Sequence, residues 1–277
     1  MNEFAKYNIG SVTLKLPFSH QLPNYQKDYL YYDRFLPFLA KHMNNDSVIL
    51  EVGANVGDTV AGLIQSCANK IIAIEGHPIF YDFLRENVAS FPCSDRIVTH
   101  RALVGSGKYL GTLVENGSTA SLRLDGKTMV SRLDEIASEL KVDFQKVALI
   151  IIDTDGYDGD VLNSASRIIH ESIPVVYWEN SFENADQYTA LQEAYRLLTD
   201  SNYEYFTIFD NFGVPLMVNT NLDALMNFNR YVAMTRRSSA SRPSIFYTDV
   251  CATTEQNKQQ VSNAIRDCYG TLDIQTM

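Results

Sequence analysis

The stretch Val48-Ile49-Leu50-Glu51-Val52-Gly53-Ala54-Asn55-Val56-Gly57-Asp58-Thr59 decides the fold. Its apolar start predicts a buried strand, and the two glycines predict a tight turn into a helix. In open α/β sheets, ligands bind beyond the carboxyl ends of the strands, at turns of this kind. Free N–H groups at the start of the following helix would favour an anionic group. The turn is therefore the first candidate ligand site, although a turn without a ligand has the same pattern.

The spacing of the glycines indicates which ligand to expect. Gly53 and Gly57 form a Gly-x-x-x-Gly pattern, and the sequence contains neither the Gly-x-Gly-x-x-Gly of dinucleotide sites nor a Gly-x-x-x-x-Gly-Lys-Ser/Thr phosphate loop. The turn thus favours a ligand without a pyrophosphate. S-adenosylmethionine fits, with its carboxylate near the helix start and its amino group near Glu51. A side chain at Gly53 is then expected to fill space that the ligand needs.

The second apolar run carries an acid at its tip. It ends in Ile74-Glu75-Gly76-His77-Pro78. An acid there, about 20 residues beyond the first turn, is placed to accept hydrogen bonds from two ribose hydroxyls. Because NAD enzymes share this arrangement, Glu75 alone indicates a nucleoside. Together with the different first turn, it favours S-adenosylmethionine over NAD.

Downstream of Ser47, short β-branched runs alternate with helical stretches, which predicts a doubly wound, Rossmann-like α/β sheet. We expect residues 47–277 to form this domain and residues 1–46 to form a helical, aromatic-rich extension that packs on or caps the site. The predicted strands are 48–50, 71–74, 97–98, 147–152, 175–178 and 205–209. The predicted helices are 29–42, 59–68, 79–90, 158–171 and 185–199. Two inserts interrupt the pattern: 109–127, a hairpin or ordered loop, and 211–230, with a short helix at 222–228.

Composition narrows the classes of partner. The net charge of −10 argues against a nucleic acid, because phosphate contacts need clustered Lys and Arg. The longest apolar run, 147–152, is far short of the roughly 20 residues of a membrane span. No secretory signal is visible, and the four cysteines form no Cys-x-x-Cys pair. We therefore expect a cytoplasmic enzyme that acts on a small-molecule or glycan acceptor.

Five sequence blocks carry a family resemblance across residues 47–211. They are Glu51-Val52-Gly53-Ala54-Asn55-Val56-Gly57, Ile74-Glu75-Gly76-His77-Pro78, Arg132-Leu133-Asp134-Glu135, Ile150-Ile151-Ile152-Asp153-Thr154-Asp155-Gly156-Tyr157-Asp158 and Val161-Leu162-Asn163-Ser164-Ala165. With these blocks the chain resembles the FkbM family of methyltransferases. Members carry an Asp-x-Glu-Gly-x-Glu-x-x-x-Leu pattern, in which Asp155 and Asp158 here replace the glutamates, so charge is kept and reach is shortened.

The resemblance implies a class I methyltransferase fold. It also implies S-adenosylmethionine-dependent transfer of a methyl group to an oxygen, commonly a hydroxyl of a sugar, a polysaccharide unit or a secondary metabolite. A small-residue stretch around Ser121 resembles one that lies near the cofactor in the family. The predicted cofactor-binding residues are Glu51, Gly53, Ala54, Asn55, Gly57, Thr59, Glu75, Gly76, His77, Ser121 and Asp153.

The reaction itself requires an acceptor that is aligned with the methyl group and loses a proton. Asp153 and Asp155 follow the fourth strand, and either is predicted to be the general base. Asp153, Glu179 and Asn180 follow neighbouring strands and offer oxygen ligands that suit Mg²⁺. This layout is similar to that of catechol-type and macrolide-sugar O-methyltransferases. The same carboxylates could instead cap helices or bind substrate hydroxyls without a metal.

Two other functions remain open from the sequence. An NAD(P)-dependent oxidoreductase shares the sheet and the ribose acid, but no Ser–Tyr–Lys or His–Asp catalytic set is visible. A catalytically inactive Rossmann-like binding protein would also keep the fold. The intact segment from Glu51 to Gly57, together with Glu75, counts against it.

Overall fold

The computed structural model describes residues 4–107, 109–117, 119–236 and 245–270, except for the side chains of 115, 116, 119, 121, 124 and 125. Its strands are β1 (Phe4–Ile9), β2 (Val12–Pro17), β3 (Val48–Val52), β4 (Lys70–Glu75), β5 (Ile97–Arg101), β6 (Leu103–Val104), β7 (Leu110–Asn116), β8 (Thr119–Ser131), β9 (Val147–Ile152), β10 (Val175–Asn180), β11 (Tyr205–Asp210), β12 (Pro215–Thr220) and β13 (Thr248–Thr253). Its α-helices are α1 (Leu22–Asp28), α2 (Phe35–Lys41), α3 (Asp58–Leu63), α4 (Pro78–Ser90), α5 (Leu133–Glu139), α6 (Asp158–Ser164), α7 (Ser166–Ser172), α8 (Ala185–Asp200), α9 (Leu222–Arg236) and α10 (Lys258–Tyr269).

Eight strands form the central sheet, in the order β12-β11-β13-β10-β9-β3-β4-β5. The five strands from β10 to β5 pair in parallel, whereas β13 is antiparallel to both of its neighbours and β12 is antiparallel to β11. The order reverses at β3, where β4 lies on one side and β9 on the other, and such a switch point is where ligands bind. The predicted doubly wound, Rossmann-like α/β sheet is confirmed.

The middle of the sheet is covered on both faces. Every residue of β3 is buried, and two separate apolar clusters pack on the opposite faces. This arrangement explains why the central strands read as continuous apolar runs, since strands that are covered on both sides have no polar face. The packing also leaves the carboxyl ends of these strands as the polar part of the sheet.

Several predicted elements differ in extent. Residues 158–171 form two helices, α6 and α7, and the predicted helix 59–68 ends as α3 at Leu63. The helix predicted at 29–42 is limited to α2, where Pro37 lies in the first turn, whose N–H groups have no helical partners. The insert at 109–127 does form a hairpin, β7–β8. The second insert contains α9, which is longer than predicted, and the unpredicted β12.

The N-terminal region begins with the hairpin β1–β2, which the sequence reading missed. Leu14 and Leu16 are fully buried in the same apolar cluster as α3 and α4. Asn87 of α4 holds the hairpin in place: its side chain accepts from the backbone N–H of Lys15 and donates to the carbonyls of Lys15 and Val56. The hairpin therefore shares a core with the sheet.

Within the described residues, no helix is both long and apolar enough to cross a membrane.

Candidate active site

A cleft opens at the carboxyl ends of β3, β4, β9 and β10 and encloses about 1360 Å³, part of it continuous with solvent. The N-terminal segment covers one side through residues that include His20, Leu22, Tyr25, Tyr32, Asp33 and Leu36. The hairpin β7–β8 lines the other side with Leu113, Ala120 and Leu122. His20 reaches the first turn, with its Nε2 3.4 Å from Oδ1 of Asn55.

The turn after β3 is clamped between its neighbouring strands. The N–H groups of Gly53 and Ala54 donate to the carbonyl of Ile74 at 2.9 and 3.0 Å. Gly53 has a φ of +88°, and a Cβ at this position would lie 1.7 Å from the carbonyl oxygen of Asp153. Glycine is thus required by close backbone packing against β9. Gly53 also lines the cleft, so the expectation that a side chain here fills ligand space stays a prediction beside this packing requirement.

Glu51 points into the cleft with one oxygen unsatisfied. The residue is only 3% exposed, and Oε2 has no hydrogen-bond partner in the protein. Burial raises the pKa of this carboxyl to about 8, helped by the charges of Asp58 and Asp153 and opposed by a hydrogen bond with Thr59. A buried acceptor without a donor is costly, so this oxygen suits a donor that arrives with a ligand.

Glu75 organises the turn while also lining the cleft. Its Oε2 accepts from the N–H of Asn55 at 2.8 Å and its Oε1 from the N–H of His77 at 2.6 Å. Burial raises its pKa to about 7, although these hydrogen bonds act in the opposite direction. Each carboxylate oxygen has a second lone pair, so Glu75 can still accept hydrogen bonds from a ligand.

Asp153 and Asp155 follow β9 in a turn that Asp158 holds. The buried Asp158 carboxylate accepts from the N–H groups of Thr154 and Gly156, each at 3.0 Å. The side chain of Asp153 is open to the cleft, but desolvation by the surrounding cleft walls raises its pKa to about 6, and desolvation likewise raises the pKa of Asp155 to about 7. A carboxyl that titrates near neutral pH is suited to accept a proton in catalysis.

A family model described as the methyltransferase FkbM domain matches residues 51–205, which is more than half of the chain. The chain belongs to this family. The match begins at Glu51 and includes the cleft-lining ends of β3, β4, β9 and β10. In this FkbM family member, β12, β13 and the N-terminal segment lie outside the matched range.

Solved methyltransferase structures also resemble the chain. A methyltransferase FkbM from Methylobacillus flagellatus KT is 20% identical, with 57% of this chain and 38% of that chain covered and a TM-score of 0.42. An O-methyltransferase from Bacillus cereus in complex with SAH is 14% identical, with 80% of each chain covered and a TM-score of 0.48. TYW2 from M. jannaschii in complex with AdoMet is 10% identical, with 91% and 86% covered and a TM-score of 0.43. The present chain thus spans about 38% of the FkbM structure's length. No curated protein matches the sequence.

The cleft of this family member brings together most of the predicted cofactor residues, namely Glu51, Gly53, Asn55, Thr59, Glu75, Gly76 and Asp153. Three others lie outside its lining. Ala54 is buried, Gly57 caps the start of α3 with a φ of +88°, and the ring of His77 packs against that of Phe80 with 4.8 Å between the ring centroids. The side chain of Ser121 is outside the described part of the structure, so its cofactor contact stays a prediction.

The contacts of Asn180 do not support its predicted place in a metal site. Its Nδ2 donates to Asn229 and Thr248, and its Oδ1 accepts from the hydroxyl of Tyr195 at 2.5 Å. Successive residues of a strand face opposite sides of the sheet, so Asn180 points away from the cleft while Glu179 points into it. Glu179 in turn shares a hydrogen bond with Asp153. Among the described residues, no group of three or more His, Cys, Asp or Glu has an arrangement that could hold a metal ion.

Sequence reasoning missed three acids of the cleft: Asp33, Asp58 and Asp249. Asp58 stands directly after Gly57, where its position in the first turn was a usable signal. Asp33 lies in the turn before α2, with a φ of +55°, and Asp249 lies on the antiparallel strand β13. Only the tertiary structure brings these two residues to the cleft.

Proposed function

We propose that the protein transfers the methyl group of S-adenosylmethionine to a hydroxyl of a small-molecule or glycan acceptor: a sugar, a polysaccharide unit or a secondary metabolite. One observation carries the proposal. Two buried carboxylates, Glu51 with an unpartnered oxygen and Glu75 with free lone pairs, face one cleft at the switch point of an FkbM-family sheet. They are matched by the two donor groups of this cofactor, its ammonium and its ribose diol.

The charge of the cleft supports S-adenosylmethionine over NAD(P). Eight acidic residues line the cleft, and no Lys or Arg does so among the described residues. The pyrophosphate of NAD(P) would add negative charge to this acidic cleft, whereas the sulfonium and the ammonium of S-adenosylmethionine would add positive charge. Glu51 would pair with the ammonium and Glu75 with the ribose hydroxyls.

The chemistry requires one proton acceptor beside the methyl group. The acceptor oxygen attacks the methyl carbon, the carbon–sulfur bond breaks, and S-adenosylhomocysteine leaves as a neutral thioether. The hydroxyl proton passes to Asp153 or Asp155, whose pKa values of about 6 and about 7 leave a useful fraction ionised at neutral pH. The turn that Asp158 holds would keep both carboxyls at the end of β9.

The donor set does not fit the predicted Mg²⁺. Asn180 faces the opposite side of the sheet, and Asp153 shares a hydrogen bond with Glu179. The proposed reaction therefore uses no metal. If this is right, methyl transfer persists in excess EDTA, whereas a metal-dependent enzyme would lose turnover and regain it with added Mg²⁺.

Calorimetric titration with S-adenosylmethionine and with NADH, run side by side, tests the cofactor. We expect binding of the first only, and binding of NADH alone would overturn the proposal. Release of S-adenosylhomocysteine in the presence of hydroxylated acceptors then tests the reaction and excludes an inactive binding protein. At saturating S-adenosylmethionine, Asp153→Asn should reduce kcat about 10²- to 10⁴-fold if Asp153 is the base. The same loss in Asp155→Asn alone would assign the base to Asp155.

A further inference from the structure

The carboxylate of the proposed cofactor still lacks a partner in the cleft. In S-adenosylmethionine this carboxylate is bonded to the same carbon as the ammonium that Glu51 would pair with. Eight acidic residues line the cleft, and no Lys or Arg does so among the described residues. An anion in such surroundings is repelled unless a hydrogen-bond donor or a positive charge faces it. A cleft that binds this cofactor must therefore offer its carboxylate a specific partner.

The start of α3, where the sequence predicts the carboxylate, is already occupied by an acid of the protein. The side chain of Asp58 accepts hydrogen bonds from its own N–H group and from that of Thr59. The N–H groups at a helix start are those without helical partners, so Asp58 takes two of the donors that an anionic ligand would use. A second anion at the same place would also meet the charge of Asp58. The cofactor carboxylate thus requires another donor.

Within the described structure, His20 is the one residue lining the cleft whose side chain can carry a positive charge. It is half-buried and lies in the turn between β2 and α1. Its backbone N–H donates to the carbonyl of Pro17 at 3.0 Å, and Leu22, two residues further on, is buried in the core cluster that the N-terminal hairpin shares with the sheet. The imidazole is therefore presented to the cleft by a segment that is anchored on both sides.

The contacts of the two ring nitrogens of His20 show which one can donate to a ligand. Nδ1 accepts from the backbone N–H of Leu22 at 3.3 Å, and because a backbone N–H can only donate, the hydrogen of the neutral ring is on Nε2. Nε2 faces Oδ1 of Asn55 at 3.4 Å, which is longer than the about 2.7–3.2 Å of ordinary N–H···O hydrogen bonds. The Nε2–H group therefore makes only a weak contact and can serve a better acceptor.

His20 and Glu51 both interact with the first turn of α3. Glu51 shares a hydrogen bond with Thr59. Desolvation raises the pKa of Asp58, the residue before Thr59, and the charge of His20 acts in the opposite direction. Because one carbon joins the ammonium and the carboxylate of an amino acid, an ammonium at Glu51 brings its carboxylate into this neighbourhood.

We propose that His20 binds the carboxylate of S-adenosylmethionine through its Nε2–H group, so that the N-terminal segment completes the cofactor site. This rests on the proposed function, because it adds a binding residue to the same site. Glu51 and His20 would then hold the two charged groups of the methionine part between them. His20 lies outside the range that the family model matches, so the contact comes from the N-terminal segment of this chain.

Two ligands that differ only in the carboxylate test the contact: S-adenosylmethionine and its decarboxylated form. His20→Ala should weaken binding of S-adenosylmethionine about tenfold, since a charge-assisted hydrogen bond is lost, and should leave binding of the decarboxylated form unchanged. Calorimetric titration of the whole protein measures both affinities. His42→Ala is the matched control: it removes a histidine that lies outside the cleft lining and pairs with Asp267, and it should change neither affinity.

A second measurement uses the wild-type protein and does not depend on how the variant folds. In nitrogen NMR of labelled histidine, the Nε2 signal of His20 should move when S-adenosylmethionine is added and stay in place with the decarboxylated form. Equal weakening of both ligands in His20→Ala, unchanged S-adenosylmethionine affinity in this variant, or the same response of the Nε2 signal to both ligands would each overturn the proposal. Failure of the proposed function shows separately, because the wild type would then not bind S-adenosylmethionine at all.

Discussion

At the scale of single residues, the cleft is built from carboxylates whose positions are set by backbone groups. Glu75 accepts from two N–H groups of the turns beside it, and Asp158 does the same for the turn after β9. These acids hold the loops on which Asn55 and Asp153 stand. The acids that line the cleft are therefore close to other acids that hold their loops in position.

Glu75→Gln tests the ribose contact. The glutamine side chain keeps one acceptor oxygen and replaces the other by a donor, which would face an N–H of Asn55 or His77 and could not accept from a ribose hydroxyl. We expect S-adenosylmethionine affinity to fall about tenfold or more, with a loss of roughly 1–3 kcal/mol in the free energy of unfolding. Calorimetric titration and chemical denaturation measure the two effects. The exposed Glu193→Gln is the matched control. Unchanged affinity in Glu75→Gln would show that the second strand tip does not bind the cofactor.

Gly53→Ala tests the close approach of β3 to β9. The new Cβ would collide with the carbonyl of Asp153, and the positive φ adds strain, so we expect a loss of roughly 2–4 kcal/mol in the free energy of unfolding. Gly117→Ala separates the two causes, because Gly117 has a φ of +69° but no atom within 4 Å of the added Cβ. Equal losses in both variants would mean that backbone strain, and not the contact with Asp153, requires the glycine.

A cleft residue could be predicted from the sequence when its position at the end of a strand, and not a distant packing contact, brings it to the cleft. Glu51, Glu75 and Asp153 each follow a buried strand, and the carboxyl ends of parallel strands meet, so their sequence position is informative. Asp33 and Asp249 reach the cleft only through packing of the N-terminal segment and of an antiparallel strand. Residues two apart on a strand lie on the same side of the sheet, so Asn180 lies on the side of the buried Trp178, a signal that the predicted metal site did not use.

At the scale of elements, the predicted strands differ from the missed ones in their apolar pattern. The parallel strands are continuous apolar runs, as covered strands must be. β13 reads Thr-Asp-Val-Cys-Ala-Thr and β12 begins with proline, so neither resembles a buried strand. The hairpin strand β2 did carry a signal: Val12, Leu14 and Leu16 alternate with polar residues, which is typical of a half-buried strand.

Leu14→Ala tests whether the N-terminal hairpin belongs to the cooperative unit of the domain. Leu14 is fully buried among residues that pack on α3 and α4, so truncation should lower the free energy of unfolding of the whole chain by about 2–5 kcal/mol. A single denaturation transition, shifted as a whole, is the expected result. The exposed Lys6→Ala on β1 should leave the transition in place. An unshifted main transition in Leu14→Ala would show that the hairpin unfolds separately.

At the scale of the whole molecule, the sheet gathers acids at one end while the rest of the chain carries few compensating cations nearby. The net charge is −10, and eight of the acidic residues line one cleft. A folded protein that holds carboxylates together in this way retains protons on them. The ligand-free protein should therefore respond to pH through its cleft.

The stability of the ligand-free protein should fall as pH rises from about 4.5 to about 8. Burial raises the pKa of Glu51 to about 8 from 4.5 and that of Asp155 to about 7 from 3.8, and Glu75 and Asp153 shift in the same direction. In this window the folded state binds more protons than the unfolded state, so each step up in pH favours unfolding. The effect is absent below the unfolded values, where both states are protonated.

Denaturation curves at constant ionic strength between pH 5 and pH 8 measure the trend. Glu51→Gln should flatten the trend up to about pH 8, because burial raises the pKa of Glu51 to about 8. Asp82→Asn, which is exposed, should run parallel to the wild type. A free energy of unfolding that rises across this range would mean that the cleft acids are ionised in the folded protein. They would then need a bound cation that stays with the protein through purification.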